Sequence, residues 1–526
     1  MGMKTLRFRG VLCCIMASAL LFTGLVRGGG LSTLAAVESV NGSDSLVRTS
    51  LTEIKNVLTS ISYTDYLAMY ESSGRPDETV DIDIFGNING DETNITYQVV
   101  DGAEYGKDGK VLLIGDDGKI SFNINIKTAG FYNILVEYYT GNISVYDADG
   151  NLATVGKNAS IERMVMIDGK VPFKEARSIS FSRAWADSYP ELDGDYKVVK
   201  TDGNKTYYDS TSTKFFESVA NGDRIFQRDN NGNEMKPEKT IVGIWYTKRL
   251  FDSSGYSNEP LMFHFENGEH VISLNTVREP FAVKSIKLVP IAETISYEEY
   301  LAEHKNAKDY SGDDIIIQAE YPSLASDRTL YQLNDRTSVI SQPQDSALIR
   351  LNSIGGDKWT YVGQWIEYTF EAPEDGFYYV VPRSIQNVTS GKYVSRKIYI
   401  NGEVPFTEAN YTRFDFSDTW KTDALNDGTT EFKFFLNKGI NTIRLEVALG
   451  DLAGLLSTIE TSLNTCNSYY RKILMITGPD PDEYRDYRFE RLMPEVLKGM
   501  LQQVDIINNV SDQLAKITGG KGESAA

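Results

Sequence analysis

Short runs in which apolar and polar residues alternate make up most of the chain. "DIIIQAEYP", "QWIEYTFEAP", "GFYYVVPRSI", "SRKIYING", "TEFKFFL" and "NTIRLEVAL" follow one another in its second half, each bounded by Gly, Pro, Asn or Asp. A period of two predicts strands with one face on a core, and turn residues at such short intervals predict an antiparallel sandwich or barrel. The same alternation appears earlier, in "DGKISFNINIKTAGFYNILVEYYTG" and "HVISLNTVREPFAVKSIKLVP". Near the C-terminus the period changes. Leu492, Val496, Leu497, Met500, Leu501, Val504, Ile507, Leu514 and Ile517 recur at three- and four-residue steps, which predicts an amphipathic helix ended by Gly519-Gly520. An earlier helix is expected from about Leu452 to Met475, closed by "TGPDPD".

Part of the strand pattern occurs twice. "IERMVMIDGKVPFKEA" (Ile161 to Ala176) and "VSRKIYINGEVPFTEA" (Val394 to Ala409) share eight of sixteen positions. Each passes from a strand into Asp168-Gly169 or Asn401-Gly402, dipeptides suited to the positive φ angles of a type I′ turn. "ISYTDYLAMY" at Ile61 and "ISYEEYLAEH" at Ile295 precede the copies at similar distances, and Trp185 answers Trp420 further on. The repeat unit is therefore a domain. The pattern predicts a mainly β chain: two tandem antiparallel β-sandwiches over 61–291 and 295–457, then a helical segment over 458–526. Between Trp185 and Phe263 the first domain carries a polar insertion that the second lacks, expected to form surface loops.

Composition narrows the partners. With 53 Lys and Arg against 73 Asp and Glu the formal charge is -20, which repels nucleic acid and anionic membrane surfaces. Lys4, Arg7 and Arg9, the apolar run Val11 to Val26 and small residues ending near Ala36 read as an export signal over 1–36, followed by a linker over 37–60. The chain is expected outside the cell, anchored to the membrane if the signal is retained. Cys13 and Cys14 fall inside the signal, so the mature chain keeps only Cys466 and forms no internal disulfide.

"IIIQAEYPSL", "GQWIEYTFEAPEDGFYYVVPRS" and "FFLNKGINTIRLEV" resemble, in order and spacing, carbohydrate-binding modules of the family 6 and 35 type. That resemblance implies jelly-roll, galactose-binding-like sandwiches. The "ISYxxYL" openings, "IERMVMIDGKVPFKEA", "REPF", "YYRKILMITGPDPDEYRDYRFE" and "AKITGGKGE" are similar to the N-terminal part of large extracellular solute-binding proteins of bacterial ABC transporters. It implies a transporter permease or a downstream solute-binding domain as partner. Family 6 modules commonly hold a structural calcium ion through acidic residues of the opening strand, where Gln318 here replaces one such residue beside Glu320.

Only three histidines exist, His264, His270 and His304, and none has the spacing of a helical metal pair. Neither an enzyme nor a cofactor or metal site is expected. Sugar binding needs an exposed aromatic face and a few polar groups around it. Trp420 in "FSDTWKTDA" is the first candidate, its place resembling the Trp-bearing loop of family 6 modules, and Trp185 in "FSRAWADSYP" is its repeat equivalent. Each could equally be a core-edge residue. Trp359 and Tyr361 in "GGDKWTYVGQ" could supply a second ring, while Trp365 alternates with core positions. The function expected is binding of an oligo- or polysaccharide, as the accessory region of a sugar-uptake receptor. The alternatives are a structural or protein-docking pair of sandwiches and a polysaccharide-processing enzyme.

Overall fold

A computed structural model describes residues 61–188, 198–202, 205–208, 226–388 and 390–517. The expected export signal and linker lie outside the described residues, as do Gly519-Gly520. The described residues form two compact units, one reaching to Leu456 and including 515–517, the other spanning Ser457 to Leu514.

The twice-used motifs explain how each sandwich is closed. At the hairpin corners Asp168 (φ 50°) and Gly169 (φ 72°), like Asn401 (φ 53°) and Gly402 (φ 87°), take the left-handed backbone that a type I′ turn requires at both central positions. Ile167 and Lys170 exchange backbone hydrogen bonds of 3.0 and 2.8 Å across the first turn, and Ile400 and Glu403 bonds of 2.8 and 3.1 Å across the second. The turn side chains then reach the next strand: Asp168 Oδ1 accepts from the Val271 N–H at 2.9 Å, and Asn401 Oδ1 from the Thr442 N–H at 2.8 Å.

Downstream of each corner, "VPFxEA" meets "ISYxxYL". Ser62 and Ser296 cap the helices Tyr63–Met69 and Tyr297–Glu303. Glu175 Oε2 accepts from the first helical N–H, that of Tyr63, at 2.8 Å, and Glu408 Oε2 does the same for Tyr297 at 2.9 Å. A carboxylate there satisfies a donor that the helix leaves without an internal partner. Phe173 packs against Tyr63 and Tyr66, and Phe406 against Tyr297 and Tyr300.

The first sandwich places two sheets over one apolar core. One sheet runs Trp245–Arg249, Gly130–Tyr139, Phe281–Val289, Lys110–Ile114, Tyr97–Asp101; the facing sheet runs Lys119–Ile126, Gly268–Arg278, Ile161–Ile167, Ile179–Phe181. Alternate residues such as Ile134, Val136, Ile286 and Leu288 from one, and Phe122, Ile124, Val165 and Leu274 from the other, meet in that core. In the second sandwich the sequence-matched strands have the same order, Trp365–Ala372, Gly439–Ala448, Tyr393–Ile400, Thr412–Asp415, and face the pair Gly376–Tyr379 and Lys433–Leu436. The chain is mainly β, two antiparallel sandwiches followed by a helical segment.

The insertion departs from expectation. Its strand Trp185–Ser188 pairs with Glu238–Ile241 and, through Trp185 and Ala325, with the second sandwich, so that one seven-stranded sheet contains strands of both halves. Phe226 stacks on Tyr321 with ring centroids 4.7 Å apart, and the Leu351 N–H donates to Glu234 Oε2 at 2.8 Å. In its described part the insertion thus divides, 226–241 contributing a cover on the second sandwich while Trp245–Arg249 joins a sheet of the first. A buried ion pair holds its base: Lys239 Nζ lies 2.5 Å from Asp187 Oδ1, and Gln332 donates to the other oxygen of Asp187.

In the helical segment Leu452–Thr477 ends at Gly478 (φ 72°) and Pro494–Ile517 follows. Gly499 allows close approach there, since any side chain at that position would collide with the Tyr469 hydroxyl. No helix among the described residues is long and apolar enough to cross a membrane.

Candidate functional site

Trp420 stands just before the short strand Lys421–Thr422, which pairs with Arg383–Ser384. The preceding "FSDT" is a tight local turn: Ser417 Oγ donates to the Thr419 carbonyl at 2.7 Å and accepts from the Thr419 N–H at 3.2 Å. From this turn the indole Nε1 donates to Asp335 Oδ1 at 3.0 Å and Thr337 Oγ1 at 3.1 Å. Asp335 is itself fixed, accepting from the Thr337 N–H at 3.0 Å. Arg383 lies 5.9 Å from the ring centroid and donates to Ser338 Oγ at 2.6 Å. The indole is therefore pinned by its nitrogen edge to a polar loop. Its ring is half-buried and belongs to none of the apolar clusters among the described residues. Its chain neighbours Ser417 and Lys421, but not the indole itself, line a small groove of about 40 Å³ whose polar wall also includes Gln386, Arg413, Asp415 and Asn426.

The other aromatic candidates separate. Trp185 is only 6% exposed, locked between Ile241 and Ala325 in the shared sheet. The equivalence with Trp420 therefore does not extend to a ring open to ligand, because the insertion turns this segment into an interior strand. Trp359 packs against the second core with the Arg396 guanidinium 4.3 Å from its ring centroid, which takes up one face. Tyr361 is 74% exposed. It stands on the rim of a different cavity, and no contact joins it to Trp420.

That cavity is a cleft of about 220 Å³ between the two sandwiches. The strand Trp365–Ala372 is buried on both faces. Ile366, Tyr368 and Phe370 point into the second core, whereas Trp365, 2% exposed, meets Tyr246 of the first sandwich and the guanidinium of Arg444. Arg444 donates to Glu367 Oε2 at 2.9 Å through Nε, and to the Tyr246 hydroxyl at 3.0 Å. Further along the same face, Lys397 Nζ donates to the Asn258 carbonyl at 2.6 Å, and from the first sandwich Lys248 Nζ donates to the Ser180 carbonyl at 3.3 Å. Burial lowers the pKa of both lysines, and the charge of the Glu446 carboxylate opposes that shift in each. Reasoning from sequence missed Lys248, Lys397 and Glu446, since alternation places them outward and says nothing about what covers that face.

Glu320, the carboxylate considered for calcium, is 2% exposed, and burial pushes its pKa up to about 8. Burial thus favours its neutral form, which is a poorer cation ligand than the carboxylate. Among the described residues no cluster of three or more His, Cys, Asp or Glu could hold a metal ion.

A family model matches the tail. It is that of the bacterial solute-binding protein, 4-helix bundle domain, and it covers residues 455–526. No curated protein matches the chain. Among solved structures the chain is similar to a family 35 carbohydrate-binding module from Clostridium thermocellum, with 10% identity and a TM-score of 0.18 over 40% of this chain and 97% of that one. It is also similar to a Podospora anserina β-(1,4)-mannanase carrying such a module (10% identity, TM-score 0.18, 41% of this chain and 29% of that one). The catalytic domain of an α-1,3-glucanase in complex with nigerose aligns at 11% identity and a TM-score of 0.21, over 44% of this chain and 34% of that one. The chain spans about a third of those two enzymes. TM-scores this low do not bear on function.

Proposed function

We propose that the protein binds carbohydrate without transforming it, and that it does so outside the cell as the accessory region of a solute receptor for sugar uptake. The observation that carries the binding is Trp420: an indole held by its nitrogen edge to Asp335 and Thr337, outside the apolar cores, with the Arg383 guanidinium near its ring. A pyranose has an apolar face of C–H groups and a rim of hydroxyls, which such a ring and the polar groups around it complement. The receptor context is supported by the family model over 455–526. Export is supported by the basic and apolar pattern of residues 1–36.

The test is calorimetric titration with a panel of oligosaccharides, paired with thermal melts. Trp420→Ala is expected to weaken the best ligand by several-fold, the loss of a stacking contact worth about 1 kcal/mol, with the melting temperature nearly unchanged. A large fall in melting temperature with affinity unaltered would assign Trp420 to structure instead. Release of reducing sugar from any polysaccharide of the panel would overturn the non-catalytic part of the reading.

A further inference from the structure

We infer that the cleft between the sandwiches is a second saccharide site, and that it takes one neutral sugar ring rather than a charged one. The inference rests on the reading of the chain as carbohydrate-binding, and it adds a site whose walls come from both sandwiches. The volume of about 220 Å³ is below the roughly 300–1,000 Å³ of pockets for drug-sized ligands, so the occupant is a single small ring such as a chain end.

The lining selects its chemistry. Lys397, only 4% exposed, borders the cavity, and its ammonium spends one hydrogen bond on the Asn258 carbonyl. Lys248 spends one on the Ser180 carbonyl. An ammonium carries three N–H donors, so both keep donors in reserve. The ring of Phe251 sits 4.6 Å from the Lys397 ammonium and 6.0 Å from that of Lys248, which holds both in place. Glu446 lines the same cavity and supplies acceptors. Sugar hydroxyls donate and accept, so a wall carrying both ammonium and carboxylate groups matches a neutral polyol. Asp252 and Asp327 line the cavity as well, so with Glu446 three carboxylates stand against two ammonium groups, and a uronate would add a like charge to a wall already net negative. Tyr361 stands at the mouth with its ring largely in solvent, where it can cover the face of a ring lodged within.

The test titrates the protein with glucose, galactose, mannose and xylose, with glucuronate, and with the best oligosaccharide from the panel. At least one neutral monosaccharide is expected to bind, and glucuronate at least about tenfold more weakly than it. Tyr361→Ala and Glu446→Gln should each weaken that monosaccharide about three- to tenfold, the scale of one lost contact, while Trp420→Ala weakens only the oligosaccharide. Glu446 is half-buried, so amide exchange of the unmutated protein gives a readout independent of substitutions: saturating monosaccharide should slow exchange over 251–258 and 361–364 but not over 417–426. The cleft site falls, with sugar binding still standing, if only the oligosaccharide binds and does so through Trp420, if glucuronate binds as tightly as the neutral sugars, or if slowing is confined to 417–426. If no sugar of either size binds, both readings fall.

Discussion

Glu320 shows how far a single residue can be pushed by its surroundings. Its Oε1 has no partner among the described residues, and burial, with a smaller contribution from Glu234, raises its pKa from the ordinary 4.5 to about 8. The folded chain therefore holds a proton that the unfolded chain has released across the window from about pH 4.5 to about pH 8. Stability linked to this group is intact below that window and is lost as pH rises through it. Glu320→Gln, which is neutral throughout, should leave the melting temperature unchanged at the acid end and raise it by several degrees above about pH 8. Melts of both proteins across the pH range check this; an offset that does not vary with pH would mean that the substitution acts through packing. The tryptophans mark the limit of what single residues disclose in sequence. "FSRAWADSYP" and "FSDTWKTDA" look alike, yet Trp185 is interior and Trp420 is not. The difference lies in a strand partner, Ala325, that comes from some 140 positions away (325 − 185) and leaves no local trace.

At the scale of elements the sequence was more legible, for a physical reason. Asp-Gly and Asn-Gly corners are local choices of φ, and alternation is a local record of which face is buried, so both survived folding as read. What alternation could not supply was the purpose of the paired tyrosines. Each helix lies against an edge strand, and its hydroxyls accept that strand's free N–H groups. Tyr63 takes Met262 at 2.9 Å and Tyr66 takes His264 at 2.7 Å; Tyr297 takes Lys433 at 2.8 Å and Tyr300 takes Phe435 at 2.7 Å. Burial raises the pKa of all four phenols, Tyr63 to about 12, so they remain protonated. Covering an edge in this way blocks pairing with another chain. Tyr→Phe keeps the packing and removes the acceptor, together in Tyr297 with a long 3.5 Å donation to the Glu431 carbonyl, so Tyr297→Phe or Tyr300→Phe should cost about 1–3 kcal/mol, chiefly the penalty for a backbone donor left without a partner. Urea unfolding measures this. A cost near zero would show that water replaces the hydroxyl.

Over the whole two-sandwich unit, the face shared by the halves was the least legible feature, because charged residues stand where alternation places solvent. Glu367, Arg444, Lys397 and Glu446 lie on the outer face of their sheet, and the first sandwich covers it. Arg444 is the centre of that contact: its guanidinium is 4.0 Å from the Trp365 ring centroid and 5.0 Å from that of Tyr246, with Glu367 hydrogen-bonded to it. Burial alone would lower its pKa, but Tyr246, Glu367 and Glu446 together raise it, so it stays charged at any accessible pH. A buried pair contributes little net stability beside an apolar pair of similar size, yet removing one partner alone costs about 3–5 kcal/mol because the other charge is stranded. Arg444→Met should thus strongly destabilise the unit, and Arg444→Met combined with Glu367→Met should recover most of the loss. The joint also couples the halves. With the Trp185 strand built into the sheet of the second sandwich, calorimetry of the unmutated chain should show the sandwiches unfolding in one transition, and Arg444→Met should divide it into two. Two transitions before any substitution would mean that the shared face is only a surface contact; failure of the double variant to recover would mean that Arg444 acts through its packing on Trp365 and Tyr246 rather than through its charge.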